Sequence, residues 1–326
     1  MKVDRPSDAD GRAGAAPRGR RGPFLPDGDV TVQVQSVLYR TDSEAVERSL
    51  AALEAAAEQA VLPDGRRVRL TVHQGDASEE RCLDDADVAG LAQRFAAAFP
   101  LTYRWFGSNV GSARGHNLLA EGCTASFVLT LNPEVVVSPR TIRLLVEPFA
   151  HPDTGMTEAK QLPVEHPKDY DPVTGETSWA STACAVVPAS VFAEVGGFDA
   201  DTFFLYGDDV DLSWSVRRLG LRVVHQPAAA VFHDKRLGAG ASWLPSAAES
   251  YYAAEGALLL LHKWSRPDLL AAALRDFEDS PEEDYRRAAA EFRRRRSAGE
   301  LVPQVDPEHR VATFVGSGFA PHRFVI

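Results

Sequence analysis

Three cysteines among 326 residues, Cys82, Cys123 and Cys184, are too few and too scattered for a zinc signature or a disulfide framework. An odd, separated set fits a reducing compartment, and the expected location is cytoplasmic. The chain also lacks any run near the ~18–20 apolar residues that a membrane span needs. Its greasiest patch, Leu258-Leu259-Leu260-Leu261, stops at His262-Lys263. Met1 to Asp29 has no apolar core segment, so it does not read as a signal peptide. Residues 1–28 read as a disordered arm with a small basic cluster at Arg18, Arg20 and Arg21, a solvated tail by composition. Basic residues are in deficit as well: 35 Lys+Arg stand against 46 Asp+Glu, for a net charge of -11. That balance argues against nucleic acid as a partner, because broad phosphate neutralisation needs the opposite sign. Any phosphate must be met locally, by backbone amides, a few basic side chains or a metal.

What is present is a large core, with 44% hydrophobic residues, arranged as alternating strands and helices. Strands are expected at Val30–Leu38, Val68–Val72, Leu101–Trp105 and Phe127–Leu131. Helices are expected at Asp42–Ala60, Asp87–Ala98 and Ala113–Glu121. The alternation predicts an α/β fold with a mostly parallel sheet covered on both faces, and ligands beyond the carboxyl ends of its strands. The loops after Leu38, Val72 (His73 to Ser78), Trp105 and Leu131 are thereby selected. Downstream, Ser181–Val187, Arg222–Val224 and Ala230–Phe232 read as strands and Ser190–Val195 as a short helix. From Ser246 the chain turns helical and charged.

The richest stretch is Gly196-Gly197-Phe198-Asp199 followed by Phe203-Phe204-Leu205-Tyr206-Gly207-Asp208-Asp209-Val210-Asp211-Leu212. An apolar strand or turn that ends in clustered acids, then runs into an amphipathic helix, directs carboxylates into one cleft. Such acids serve as a general base or as metal ligands. Helix capping accounts for one or two of them equally well. Asn109-Val110-Gly111-Ser112-Ala113-Arg114-Gly115-His116-Asn117 is a glycine-containing strand-to-helix turn, which fits a phosphate-binding backbone or simply a tight loop. Leu131-Asn132-Pro133-Glu134 ends a strand with a carboxylate, either a cation ligand or an ordinary strand-end acid. His233, after Ala230-Val231-Phe232, is a ligand or a satisfied core residue; Asp234 and Arg236 add polarity beside it.

Together these motifs, from Val30 to Arg236 and so about two thirds of the chain, resemble glycosyltransferase family 2. These are inverting enzymes of the GT-A fold, and within the family the resemblance is to the rhamnosyltransferase-like group. The centre of the resemblance is Phe204-Leu205-Tyr206-Gly207-Asp208-Asp209-Val210-Asp211-Leu212-Ser213-Trp214, with Gly220, Pro227 and Ala230 in support. The resemblance implies a GT-A catalytic domain over 29–240 and a helical C-terminal appendage and tail over 241–326. It implies Asp209 as catalytic base and Asp208 as its companion on the acceptor side, with Trp179 and Tyr206. It implies Glu134 and His233 around a Mg²⁺ or Mn²⁺ ion. The donor, a nucleotide-diphosphate sugar with dTDP or UDP favoured, would meet Leu38, Tyr39, Arg40, Gly75, Asp76, Asn109, Gly111, Arg114, Gly115, Asn117 and Asn132.

The chain departs from the family where His73 stands at the expected end of the second strand, leaving Asp76 as the substitute for a base-contacting Asp. It departs again at Glu134, one methylene longer than the usual Asp, and at Tyr251-Tyr252, followed here by Glu255-Gly256. A catalytically degenerate nucleotide-sugar-binding scaffold is the first rival. A nucleotidyltransferase is the second, disfavoured because Leu38-Tyr39-Arg40-Thr41-Asp42 has no glycine. The acceptor hydroxyl is unassigned. A lipid-borne acceptor would require peripheral membrane docking through the helices after Ser246, and a homo-oligomer is compatible with the sequence.

Overall fold

The computed structural model describes residues 23–165, 168–234, 246–316 and 318–320. Its first half runs β1 (Val30–Leu38), α1 (Ser43–Glu58), β2 (Val68–Asp76), α2 (Asp85–Phe95), β3 (Leu101–Trp105), α3 (Ser112–Ala120) and β4 (Phe127–Leu131). Next come β5 (Val135–Val137), α4 (Thr141–Val146), β6 (Thr154–Leu162), β7 (Glu176–Thr177), β8 (Cys184–Pro188) and α5 (Ala189–Val195). The chain continues with α6 (Asp208–Arg218), β9 (Arg222–His233), α7 (Ala247–Lys263), α8 (Pro267–Glu278) and α9 (Glu283–Ala298). Among the described residues the strands form one sheet in the order β3-β2-β1-β4-β8-β6-β9-β5, with β7 paired to β9.

The expected α/β architecture is present. β1, β2, β3 and β4 are mutually parallel, as crossover helices require. The chain winds one way from β1 to β3 and returns to place β4 on the other side of β1. That reversal opens a crevice beyond the carboxyl ends of β1 and β4. β8 then pairs antiparallel with β4 and β6, while β6 and β9 run parallel. Helix starts follow local chemistry: Asp42 caps α1 through the Glu44 amide, and Asp84 with Asp87 forms a capping box on α2.

Several expectations are corrected. β2 does not stop at Val72; it continues through His73, Gln74 and Gly75 to Asp76, because β1 and β3 pair with it along that length. The polar run concealed a buried strand end. Likewise, the two expected strands around Pro227 are one strand, β9. Of the strand or turn expected at Phe203–Tyr206, the structure shows the turn, an irregular bend with Tyr206 at φ 65 and Gly207 at φ 81. β5, α4 and β6 carry no alternation that announces them.

Both ends of the described chain pack against the rest. Residues 1–22, including the Arg18-Arg20-Arg21 cluster, lie outside the described residues, as do Arg236 and 321–326. From the expected arm, Phe24 and Leu25 pack on the main core, and Leu25 donates its amide to Phe149. At the other end, α7, α8 and α9 share a core with Trp179, Phe203, Val210 and Trp214. The C-terminal helices therefore complete the acidic region's support instead of standing apart from it.

Candidate active site

The acidic turn is built on a glycine. Gly207, in the left-handed region, precedes α6 and places Asp208 and Asp209 in its first turn. α7 seats itself against this turn at Gly256, where a Cβ would lie 2.6 Å from the Tyr206 carbonyl oxygen. The Tyr206 hydroxyl donates to Glu249, also on α7, at 2.9 Å. From the opposite side Gly111 (φ +78) comes so close to Phe204 that a Cβ would meet its carbonyl at 2.5 Å. The strained backbone is thus clamped between α7 and the loop before α3.

The expected cluster of four acids splits in two. Asp199 and Asp211 turn away to the Lys263 ammonium, each at 2.8 Å, and Asp211 also accepts from the Trp264 indole at 2.9 Å. Burial pushes both carboxyls up. Lys263 overrides it and holds Asp199 low, whereas the deeper Asp211 stays raised. Through Lys263 these two tie α6 and the segment before it to α7. Beside them Arg114, Glu121, Gly197, Asp201 and Ser215 help line an open polar cavity of about 510 Å³.

Asp208 is buried and Asp209 half-buried. No described side chain caps α6; Asp209 accepts the Val210 amide at 2.8 Å. Burial and its like-charged neighbours Asp209 and Asp211 push Asp208 up to about 8. Burial also pushes Asp209 up, to about 6, opposed by the Val210 amide and by Lys168 and reinforced by Glu158. Two adjacent carboxyls held apart in this way share charge unequally, with Asp209 the more readily ionised. A carboxylate poised near neutrality is suited to removing a proton.

The motifs do not disclose a second, buried charged cluster whose field reaches Asp209. Glu158, on buried β6, accepts from Lys168, from the Ser181 amide at 2.6 Å and reaches His225 at 3.0 Å. Lys168 is almost wholly enclosed, stacks 3.8 Å from the Trp179 ring centroid and donates to the Trp179 carbonyl at 3.2 Å. Glu158 and His225 sit opposite each other in the β6–β9 register. Only that long-range pairing makes them neighbours, so no local motif could have revealed them.

Glu134 and His233 do come together. Val135 pairs with His233 across β5 and β9, which sets Glu134 beside the imidazole at 2.9 Å. Asn132 donates to the same carboxylate oxygen at 3.2 Å, and Gln161 holds the other ring nitrogen of His233 at 2.7 Å. Burial raises the Glu134 carboxyl, but the His233 and Asn132 bonds outweigh it and leave it lowered. Its side chain remains 41% exposed. Among the described residues no three His, Cys, Asp or Glu side chains converge as a metal set. One carboxylate with one imidazole fits a divalent ion that takes its remaining ligands from phosphate and water, as Mg²⁺ commonly does. A single strip joins the two centres: Ser181 bonds Glu158, Ala180 bonds Ser213, and Ala183 accepts the Asn132 amide.

The remaining sequence candidates divide by occupation. Leu38 is core, and Gly75 and Gly115 are required for packing against Phe106 and Val37. Asn117 brackets Phe198 with two hydrogen bonds of 2.8 and 2.9 Å. Asn109 closes its own turn on the Gly111 amide, and Arg114 pairs with Asp201. Asp76 does end β2, but its carboxylate accepts from Ser78, Cys82 and the Tyr103 hydroxyl. Burial would raise it; those bonds hold it low. It shapes the loop that receives the Arg40 amide through Ser78. Tyr39 and Arg40 are exposed at the mouth of the crevice. Trp179, the other acceptor-side candidate, is buried between Lys168 and Phe319.

No protein-family model matches the chain. Over 70 residues, 22% of this chain, it is 37% identical to the N-acetylglucosaminyl-diphospho-decaprenol L-rhamnosyltransferase of Mycobacterium tuberculosis, covering 22% of that protein. Over 155 residues, 39% of this chain, it is 28% identical to the pre-mycofactocin glycosyltransferase of the same species, covering 30% of it. The matches therefore span under a third of either curated relative. Among solved structures it resembles a crystal structure of GalNAc-T7 with UDP, GalNAc and Mn²⁺, with TM-score 0.58 and 12% identity over 84% of this chain and 59% of that one. It also resembles the mannosyltransferase PcManGT from Pyrobaculum calidifontis in complex with GDP-Man and Mn²⁺, with TM-score 0.53 and 16% identity over 86% of this chain and 78% of that one. At those identities the likeness is one of fold.

Proposed function

We infer that this chain, a glycosyltransferase family 2-like protein of the GT-A fold, moves a sugar from a nucleotide-diphosphate donor to an acceptor hydroxyl with inversion. The observation that carries the reading is the acidic turn itself: Gly207 sets Asp208 and Asp209 in the first turn of α6, and burial raises the half-buried Asp209 carboxyl to about 6. In this reading Asp209 takes the proton of the acceptor hydroxyl as that oxygen attacks the anomeric carbon opposite the nucleotide. General-base help of this kind is worth ~10²–10⁴-fold. One displacement inverts the anomeric centre, and the sugar–phosphate bond breaks as the new glycosidic bond forms.

Glu134 and His233 would hold a Mg²⁺ or Mn²⁺ ion, with Asn132 and Gln161 fixing their orientation. Such an ion supplies charge neutralisation to the departing diphosphate. Tyr39 and Arg40, exposed just after β1, would meet the nucleoside, for which dTDP or UDP is favoured. Tyr206 is the remaining acceptor-side candidate at the acidic turn. A lipid-borne acceptor would be reached by docking, since no described helix is long and apolar enough to cross a membrane.

Asp209→Asn should lower transfer by at least about 100-fold, the lower end of general-base contributions, while donor affinity stays unchanged. Release of nucleoside diphosphate, with calorimetric donor binding beside it, measures both. Near-normal turnover would remove Asp209 as the base.

A further inference from the structure

Tyr206 holds a backbone angle that a bulky side chain rarely takes. Its φ is 65, in the left-handed region, and Gly207 follows at φ 81. The two residues turn the chain immediately before Asp208 and Asp209. Glycine takes such an angle freely, but a tyrosine stays there only where its surroundings over-determine it. Here α7 meets the bend at three points. Gly256 leaves room for the Tyr206 carbonyl, the Tyr252 ring lies 4.9 Å from that of Phe204, and Glu249 accepts the Tyr206 hydroxyl at 2.9 Å.

The Glu249 carboxylate is divided between two tasks. Oε2 accepts the Ser246 amide at 2.7 Å, and the Glu249 amide donates to Ser246 Oγ at 3.2 Å, which completes the capping box of α7. Oε1 takes the Tyr206 hydroxyl instead. Capping accounts for the first oxygen only. The second ties the opening turn of α7 to a strained residue far away in sequence and two positions before Asp208. Gly207 between them passes the constraint on, because its carbonyl accepts the Asp211 amide at 2.9 Å in the first turn of α6. With its proton committed to Glu249, Tyr206 has its ring, and not its hydroxyl hydrogen, left for an acceptor.

We propose that Glu249 is a positioning residue for the acidic turn. Through the Tyr206 hydroxyl it holds Tyr206 in the left-handed region and so fixes the backbone that sets Asp208 and Asp209 at the start of α6. The consequence for turnover rests on the reading of Asp209 as the base, whereas the hold on the bend does not. Hydrogen–deuterium exchange of the full chain, read by mass spectrometry over residues 203–214 and 246–256, tests that hold without a substrate. Tyr206→Phe, which removes one oxygen, and Glu249→Ala should each raise exchange across 203–214 by about 2- to 10-fold, the worth of one net hydrogen bond. The double variant should go no further than Glu249→Ala, because both changes break the same bond. Ser246→Ala weakens the cap alone, so it should raise exchange at 246–256 and leave 203–214 as in wild type.

Release of nucleoside diphosphate from UDP- and dTDP-sugars should fall in Tyr206→Phe and Glu249→Ala alike, in kcat and not in the donor KM. A fall of about 10- to 100-fold is expected, the upper figure being what a misplacement of about 1 Å costs. A merely structural role would lower stability in Ser246→Ala and Glu249→Ala together without this split. A fall confined to Tyr206→Phe, an additive rise in exchange, or opening of 203–214 by Ser246→Ala as far as by Glu249→Ala would each overturn the proposal. So would exchange over 203–214 that does not move, or that moves with kcat unchanged. If Glu249→Ala fails to fold, Tyr206→Phe against Ser246→Ala decides by the same contrast. Full turnover in Asp209→Asn overturns the base instead, and leaves the exchange contrast standing.

Discussion

Asp208 and Asp209 are adjacent in sequence and unlike in chemistry. Both enter the positive end of α6, which favours ionisation, yet burial and mutual repulsion raise both. With Asp209 as the proposed base, its ionised form is the one that takes the proton, so turnover should fall as pH drops through about 6, and a pH–rate profile reads it. For stability the sign is the reverse of the usual carboxylate case. Asp208 is raised from 3.8 to about 8 in the folded chain, so the folded state binds the extra proton. Its favourable contribution is present below the unfolded value and is lost as pH rises through the folded one. Asp208→Asn, which never ionises, should melt above wild type at about pH 9, an advantage that shrinks towards about pH 5. Thermal melts across that window test it; a constant offset would place the buried charge elsewhere.

At the scale of elements, α6 and α7 act as one unit. Lys263 bridges Asp199 and Asp211, and Gly256 admits the Tyr206 backbone. Lys263→Met would leave two enclosed carboxyls without their cation, a loss of about 3–5 kcal/mol by comparison with other broken buried pairs. Gly256→Ala should cost about 1–3 kcal/mol, as overpacking does, and should also lower turnover by displacing the turn that carries Asp209. Denaturant unfolding with an activity assay separates the two effects. These elements explain what the sequence disclosed. β1, β3 and β4 were legible to the residue because apolar alternation and turn chemistry mark them locally. The end of β2 was not, since Gln74, Gly75 and Asp76 are polar or small and are buried only through pairing with β1 and β3. β6 was hidden for the same reason, and with it Glu158 and Gln161.

Over the whole molecule, the sheet brings together what the chain keeps apart. Asp209, Glu134 and His233 were readable as motifs, and the fold sets Glu134 against His233 across β5 and β9. Lys168 and His225 emerge only from tertiary placement. Within the glycine-containing Asn109–Asn117 motif, the members singled out by the sequence also have intramolecular roles, down to Gly115 against Val37. The C-terminal helices, expected as an appendage, share a core with Trp179 and Trp214, so their removal should unfold the acidic turn along with them. The central claim, a nucleotide-sugar site organised by Glu134 and His233, is tested most directly by thermal shift. UDP, dTDP and GDP are each added with and without Mn²⁺ or Mg²⁺, to wild type and to Glu134→Gln. A ligand at a hundredfold excess over its Kd adds about 2.7 kcal/mol of stability. The account predicts a metal-dependent rise in Tm with one nucleotide and its loss in Glu134→Gln. No shift with any nucleotide, or a shift indifferent to both metal and Glu134, would contradict it.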